Sequence, residues 1–325
     1  MCTAISYRAD FHYFGRNLDV ENFFDERVTV TPRNYPFCFY GGKTLRTHYA
    51  MIGMAHIAEG YPLYYDAVNE KGLSVAALSF PKEAYYRKPR EGFYPVTPWE
   101  WIPFILSECE TAEQAKKLLE NTDMVNVPFS RELSLTPLHF FVSDAEKSFT
   151  AEPMKDGLKI FENPVGVLTN APSFDFQMQY LNLFMGLSSE PVENRFSEKI
   201  SFCDYSRGMG ALGLPGDLSS SSRFVRTVFT KFHTLEGLDE TENVHRFFHI
   251  LGTAAQQKGC VHLNGDFEFT AYSSCCNTER GIYYYRTYEN SSIIGIDMHR
   301  EDLNGEKLIS YSLVKKGDLA SRIGN

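Results

Sequence analysis

The sequence lacks most of what would mark a membrane-spanning or disulfide-built protein. No apolar run in its 325 residues approaches the roughly 18–20 residues needed to span a bilayer. Residues Met1 to Arg16 contain Asp10 and no continuous apolar stretch, so no signal peptide is read there and a cytoplasmic chain is expected. The seven cysteines are Cys2, Cys38, Cys109, Cys203, Cys260, Cys275 and Cys276. Their number is odd, their spacing is irregular and none forms a C-x-x-C, which argues against a disulfide framework or a zinc ribbon. Positive charge is also scarce: 32 Lys and Arg face 41 Asp and Glu, a net charge of −9. Nucleic acid and anionic membrane surfaces usually need a basic face, so neither is expected as a partner.

Short motifs for cofactors and metals are incomplete. Gly208-Met209-Gly210-Ala211-Leu212-Gly213 matches G-x-G-x-x-G but runs into Pro215-Gly216, where a dinucleotide site needs a helix. Gly42-Lys43-Thr44 ends like a phosphate loop, but Phe37 stands in place of the first glycine. His245 and His249 are four apart, with Arg246-Phe247-Phe248 between them; the glutamate of H-E-x-x-H is missing, so packed or surface histidines are expected. Adjacent Cys275-Cys276 meets disulfide geometry poorly and is read as two buried thiols in a strand end. No metal and no cofactor is expected.

What is present is an ordinary globular composition, 43% hydrophobic and 22% charged, in a chain long enough for a substantial core. The 26 Phe and 19 Tyr exceed what a core alone requires and suit a pocket for a bulky apolar ligand.

Strands are expected at Thr3–Tyr7 and Phe11–Gly15, as a hairpin around Ala9-Asp10, and at Val28–Thr31, Met51–Ile57 and Leu73–Phe80. Thr97-Pro98 suits the start of a helix through Leu106, with Pro103 kinking or ending it. Thr111-Ala112-Glu113-Gln114 has capping-box spacing for a second helix. Strands return at about 137–170, followed by a short helix over Phe176–Met185. Residues 187–220 are rich in Ser, Gly and Pro and form a long excursion. Helices are expected over Arg223–Phe232, with Phe224, Val225, Val228, Phe229 and Phe232 on one face, and over Val244–Leu251. Strands close the chain at Phe267–Tyr272, Gly281–Tyr288, Ile293–Met298 and Leu308–Val314. Blocks in a β–α–β–α–β order indicate a layered α+β domain.

Chemistry concentrates at the N-terminus. Once Met1 is trimmed, Cys2 carries a thiol and a free α-amine, a nucleophile and a base in one residue. Their ordinary pKa values, about 8.5 and about 8, both lie near neutrality. Phe14-Gly15-Arg16-Asn17-Leu18-Asp19 follows within a hairpin's reach. Paired strands would return Arg16 and Asp19 beside Cys2, where a carboxylate orients the amine and a guanidinium stabilises a thiolate. At an arbitrary R-N-x-D the same residues would be an exposed ion pair at a turn.

Met1-Cys2-Thr3, Phe14 to Asp19 and Thr31-Pro32-Arg33 together resemble the start of the choloylglycine hydrolase family, the conjugated bile salt hydrolases and penicillin V acylases of the N-terminal-nucleophile hydrolase superfamily. The resemblance continues in order through Asn69-Glu70-Lys71-Gly72-Leu73, Leu168-Thr169-Asn170-Ala171-Pro172, Gly213-Leu214-Pro215-Gly216-Asp217, Ser222-Arg223-Phe224 and Gly281-Ile282-Tyr283-Tyr284-Tyr285. It implies a single domain over 1–325 with a four-layer αββα sandwich of two antiparallel sheets, assembled as a homotetramer with 187–215 as the oligomerisation excursion.

The resemblance also implies roles. Cys2 is the nucleophile with its own α-amine as base, Asp19 holds the amine and Arg16 lies beside the thiol. Asn170 supplies an oxyanion donor, and Arg223 is the last charged member. Ser79 stands before Phe80-Pro81, where bile salt hydrolases usually carry asparagine and penicillin V acylases tyrosine. Its backbone N–H can still serve the oxyanion hole, so the reaction type is kept and selectivity for the amine is altered. By the same resemblance Leu18, Phe24, Ala58, Phe129 and Leu133 line the acyl pocket. That roomy apolar wall suits the steroid of a conjugated bile salt. Penicillin V or N-acyl-homoserine-lactone acylase activity is the alternative reaction, and a catalytically silent steroid-binding oligomer the alternative of another class.

Overall fold

The computed structural model describes residues 1–263 and 265–317. The expected N-terminal hairpin is present and longer than the pattern suggested: β1 (Cys2–Arg8) pairs antiparallel with β2 (His12–Val20). β2 continues to Val20 because its polar residues are buried with partners, not solvated. β3 (Arg27–Thr31), the small β4 (Phe37–Cys38) and β5 (Thr44–Leu45) pair, β6 (Met51–Ala58), β7 (Tyr61–Asn69) and β8 (Ser74–Ser79) follow. β7 is hidden from pattern reading by Pro62 and Asp66. Pro62 sits beside the hairpin turn, where a missing donor costs least, and Asp66 is buried with three hydrogen-bond donors of its own.

After β9 (Tyr94–Val96), α1 (Trp101–Glu108) begins later than expected, and Pro103 falls in its first turn. A proline there loses no helical hydrogen bond, so the helix passes it unbroken. α2 (Ala112–Leu119) is capped as its spacing predicted, the Thr111 hydroxyl accepting the Gln114 N–H at 3.2 Å. β10 (Thr122–Met124), β11 (Leu138–Ser143), β12 (Ser148–Met154), β13 (Gly157–Glu162), β14 (Val167–Leu168) and α3 (Phe174–Leu181) lead to the excursion. From 187 to 219 that excursion holds only the short 3-10 turn Met209–Ala211, so the glycine motif there opens no helix. α4 (Ser220–His233) and α5 (Glu240–Gly252) precede β15 (Val261–Leu263), β16 (Asp266–Asn277), β17 (Ile282–Thr287), β18 (Asn290–Asp297) and β19 (Ile309–Ser312). Cys275 and Cys276 are free buried thiols in β16, as expected, and His245 and His249 are exposed on α5.

Two sheets result. One runs β14-β1-β2-β16-β17-β18, with β15 on β16; the other runs β13-β12-β11-β8-β7-β6-β3-β19. Side chains alternate faces along a strand, and β8 shows the consequence. Ala76 and Leu78 join the core shared with β1, β2 and α4–α5, whereas Val75 and Ala77 face α1 and α2. The layers are therefore helices, sheet, sheet, helices: the four-layer α+β sandwich. Phe232 departs from the helical pattern and is exposed, because α4 ends one residue later and its last turn leaves the core. The single-domain span of 1–325 includes Asn264 and residues 318–325, which lie outside the described residues.

Candidate active site

Strand register builds the site. Cys2 pairs with Leu18 and Ala4 with Arg16. Residues opposite each other or two apart share a face, so Cys2 and Arg16 project to the same side, toward the second sheet. Thr3, Asn17 and Asp19 project to the other side, toward α4 and α5. Gly15 makes the close packing possible, since a Cβ there would collide with the Ser274 carbonyl of β16. β16 carries a bulge at Ala271, between the pairs Thr270↔Asp19 and Tyr272↔Leu18. Such an extra residue re-aims its neighbours, and the Thr270 hydroxyl meets Asp19 Oδ1 at 2.6 Å.

Arg16 is fully buried and its Nη2 lies 2.5 Å from Cys2 Sγ. Nη1 donates to the carbonyls of Tyr65, at 3.0 Å, and Ala77, which fixes the guanidinium plane between β7 and β8. Burial opposes the Arg16 charge, but the neighbouring Cys2, Tyr272, Asp66 and Asp19 outweigh it and leave its pKa raised. Arg16 thus stays a cation at the sulfur.

Asn170 sits on the backbone side of Cys2. Its Oδ1 accepts the Cys2 N–H at 2.8 Å and Arg223 Nη2 at 2.7 Å, and its Nδ2 donates to the Ser79 carbonyl at 2.7 Å. Two donors on one side and an acceptor on the other leave one orientation for the amide. Arg223, in the first turn of α4, also donates through Nη1 to the Cys2 carbonyl at 2.5 Å and to Thr3 Oγ1 at 2.7 Å. Burial lowers the Arg223 pKa despite the nearby Asp19 and Cys2.

Asp19 is buried, and burial raises its pKa against the opposing pull of Arg223, the chain's amino group, Thr270 and Arg16. Its Oδ2 has no hydrogen-bond partner. With Met1 in place, the Cys2 nitrogen is a peptide nitrogen whose one N–H goes to Asn170. The Met1 ammonium donates to the Asp19 backbone carbonyl at 2.8 Å and pairs with buried Glu268.

The five residues expected around an acyl group are less tightly gathered. Leu18 is buried opposite Cys2. Ala58 pairs with Tyr61 across the β6–β7 turn, and Tyr61 packs on Phe129 with ring centres 6.0 Å apart. Phe24 and Leu133 are exposed at 52% and 37%. Three clefts of about 460, 360 and 630 Å³ lie elsewhere and are not lined by Cys2.

Sequence reasoning missed the support beneath Arg16. Asp66 accepts hydrogen bonds from Tyr272 at 2.9 Å, Tyr283 at 2.7 Å and Ser274 at 3.2 Å, and Ser274 Oγ also accepts the Arg16 N–H at 3.1 Å. A single acid inside the otherwise apolar run of β7 was the available signal. Thr270 and Glu268 were missed for want of any local pattern.

A buried cysteine with a guanidinium on its sulfur and an amide on its nitrogen, set between two antiparallel sheets flanked by helices, defines an amidohydrolase of the N-terminal-nucleophile fold. Residues 2–311 match the model of the linear amide C–N hydrolases, choloylglycine hydrolase family, and the chain belongs to that family. It is 50% identical over 314 residues to a bile salt hydrolase/transferase of Lactiplantibacillus plantarum, covering 96% of this chain and 97% of that one. The R18L variant of conjugated bile acid hydrolase from Clostridium perfringens superposes with a TM-score of 0.90 at 35% identity, over 98% and 99% of the two chains. Penicillin V acylase from Agrobacterium tumefaciens shares the fold, with a TM-score of 0.75 at 20% identity over 95% and 90%.

Proposed function

We propose that this protein hydrolyses the amide bond joining a bile acid to glycine or taurine, with Cys2, freed by removal of Met1, as nucleophile. The observation that carries this is the Arg16 guanidinium on Cys2 Sγ, at 2.5 Å, beside an Asn170 amide locked on the Cys2 nitrogen. The α-amine takes the thiol proton as sulfur attacks the carbonyl carbon. The oxyanion that forms is held by the backbone N–H of Ser79 and by the second N–H of Asn170 Nδ2, the first being engaged by the Ser79 carbonyl. Each such donor is typically worth about 3–4 kcal/mol of barrier. The C–N bond then breaks, the proton passes to the departing amine, and water attacks the thioester to release the bile acid.

Asp19 and Arg223 complete the site. The unpartnered Oδ2 of Asp19 is an acceptor for the additional N–H that Cys2 gains when Met1 leaves. Arg223 orients Asn170 and the Cys2 carbonyl. Leu18, Phe24, Ala58, Phe129 and Leu133 form the apolar wall for the steroid, and Ser79 faces the conjugated amino acid. An amine in place of water at the thioester would give acyl transfer, in keeping with the hydrolase/transferase name of the Lactiplantibacillus relative.

The chain is read as one cytoplasmic domain that assembles as a homotetramer through 187–215, a segment that exposes Phe196 at 80% and Tyr205 at 83%. No helix among the described residues is long and apolar enough to cross a membrane. Parallel incubation with glycocholate, taurocholate and penicillin V tests the reading by the amine released. Release from the two bile salts well above that from penicillin V is expected, and preference for penicillin V would reverse it.

A further inference from the structure

We propose that the buried pair His139–Glu152 is a positioning element that fixes the spacing of the two oxyanion donors. The inference rests on the reading of Ser79 and Asn170 given above. Those two residues come from different sheets. Ser79 ends β8, whereas Asn170 follows β14 at the edge of the other sheet. Apart from the 2.7 Å hydrogen bond from Asn170 Nδ2 to the Ser79 carbonyl, their separation therefore depends on how the sheets register. Apolar packing between sheets is non-directional, so it does not by itself set that spacing to a few tenths of an ångström.

His139 on β11 and Glu152 on β12 supply direction, and both side chains are wholly buried. His139 Nε2 lies 3.0 Å from the carbonyl of Thr169, the residue before Asn170. Its ring stacks on Phe80, the residue after Ser79, at 4.2 Å between centres and 7° between planes. Leu138, the residue before His139, pairs with Ser79 in the sheet. One imidazole thus touches the neighbour of each donor. Glu152 Oε1 holds His139 Nδ1 at 3.0 Å, and the carboxylate accepts the Phe174 N–H at the start of α3 at 3.0 and 3.2 Å.

Counting protons makes the tie definite. A carbonyl only accepts, so His139 Nε2 carries hydrogen. One further proton lies between Nδ1 and Glu152. The pair is imidazolium with carboxylate, or imidazole with carboxylic acid, and is neutral overall in either form. Every donor and acceptor named is then satisfied, which is the condition for a buried polar pair to stiffen a structure. Neither residue touches the reacting atoms; both act through Ser79 and Asn170.

The test compares His139→Phe, His139→Gln, Glu152→Gln and Asn170→Ala in glycocholate kinetics, alongside iodoacetamide alkylation of Cys2. His139→Phe removes the polar tie, and kcat should fall about 10- to 100-fold because donors are displaced by fractions of an ångström. KM and the alkylation rate should change less than about twofold, since Arg16 and the sulfur are untouched. Glu152→Gln keeps an acceptor for Phe174 and a donor for Nδ1, so kcat within about threefold of wild type is expected. His139→Gln retains a donor for Thr169 and should recover part of the loss. If His139→Phe does not fold, His139→Gln is read in its place, with a loss of about three- to tenfold expected.

An unchanged kcat in the His139 variants, a fall in alkylation that parallels kcat, or a Glu152→Gln variant as impaired as His139→Phe would overturn the proposal. Wild-type activity in Asn170→Ala would instead overturn the oxyanion reading itself. An impaired Asn170→Ala beside an unimpaired His139→Phe overturns this inference alone.

Discussion

Arg223 and Asn170 share a hydrogen bond of 2.7 Å that ties the first turn of α4 to the backbone of Cys2, whose N–H the same asparagine oxygen accepts at 2.8 Å. Arg223 donates in three directions from one planar fork, a pattern that a lysine ammonium does not reproduce. Arg223→Lys is expected to lower kcat at least about tenfold through loss of Asn170 orientation. Steady-state kinetics check this, with near-UV circular dichroism to confirm the fold.

On the proposed function, Ser79 occupies a position where a longer amide would reach the conjugated amino acid. Ser79→Asn is expected to change the glycine-to-taurine ratio of kcat/KM several-fold, since one polar contact is worth about 1 kcal/mol. Cys2 alkylation should stay nearly constant. Equal changes for glycocholate and taurocholate would assign the side chain to catalysis or folding instead.

The excursion over 187–215 exposes Phe196, Phe202 and Tyr205 with almost no regular structure. Apolar side chains so displayed suit the assembly interface proposed for this segment. Shortening the segment should shift the molecular mass in solution to smaller species, measured by light scattering. An unchanged mass would remove it from the assembly interface.

His12 is fully buried among hydroxyls, with Nε2 2.9 Å from Ser6 Oγ and Nδ1 2.9 Å from Thr278 Oγ1. Burial, aided by Arg8 and Lys231 and opposed by Asp144, lowers its pKa from 6.5 to about 3. The unfolded chain takes up a proton below pH 6.5, and the folded chain does so only near pH 3. Stability therefore falls as pH drops through that window, by an upper bound of about 4–5 kcal/mol from this group. His12→Gln should flatten the decline between pH 6.5 and 4 in urea unfolding. An identical slope in both proteins would contradict the assignment.

The sequence made the site's linear parts legible and left its supports hidden. Cys2 and Arg16 could be brought together because a two-residue periodicity and one turn at Ala9-Asp10 determine which side chains share a face, and the same pairing returns Asp19 beside the Cys2 backbone on the other face. Asn170 and Arg223 entered only through family resemblance, since nothing local says that β14 and α4 converge on Cys2 across 168 and 221 residues. β7 was missed because Pro62 and Asp66 disguise a buried strand. The late start of α1 was misread because Pro98 suits a first helical turn as well as Pro103 does. Phe232 looked like core because helical periodicity does not show where a helix leaves the sheet it packs on.

The central claim is that the free-amine form of Cys2 carries the acyl group, and intact-mass spectrometry of enzyme quenched during glycocholate turnover tests it most directly. The expected result is a chain lacking Met1 that gains the mass of one cholyl group, released by hydroxylamine and mapped to the N-terminal peptide. A fully active chain that retains Met1, or an acyl group on any other residue, would contradict it.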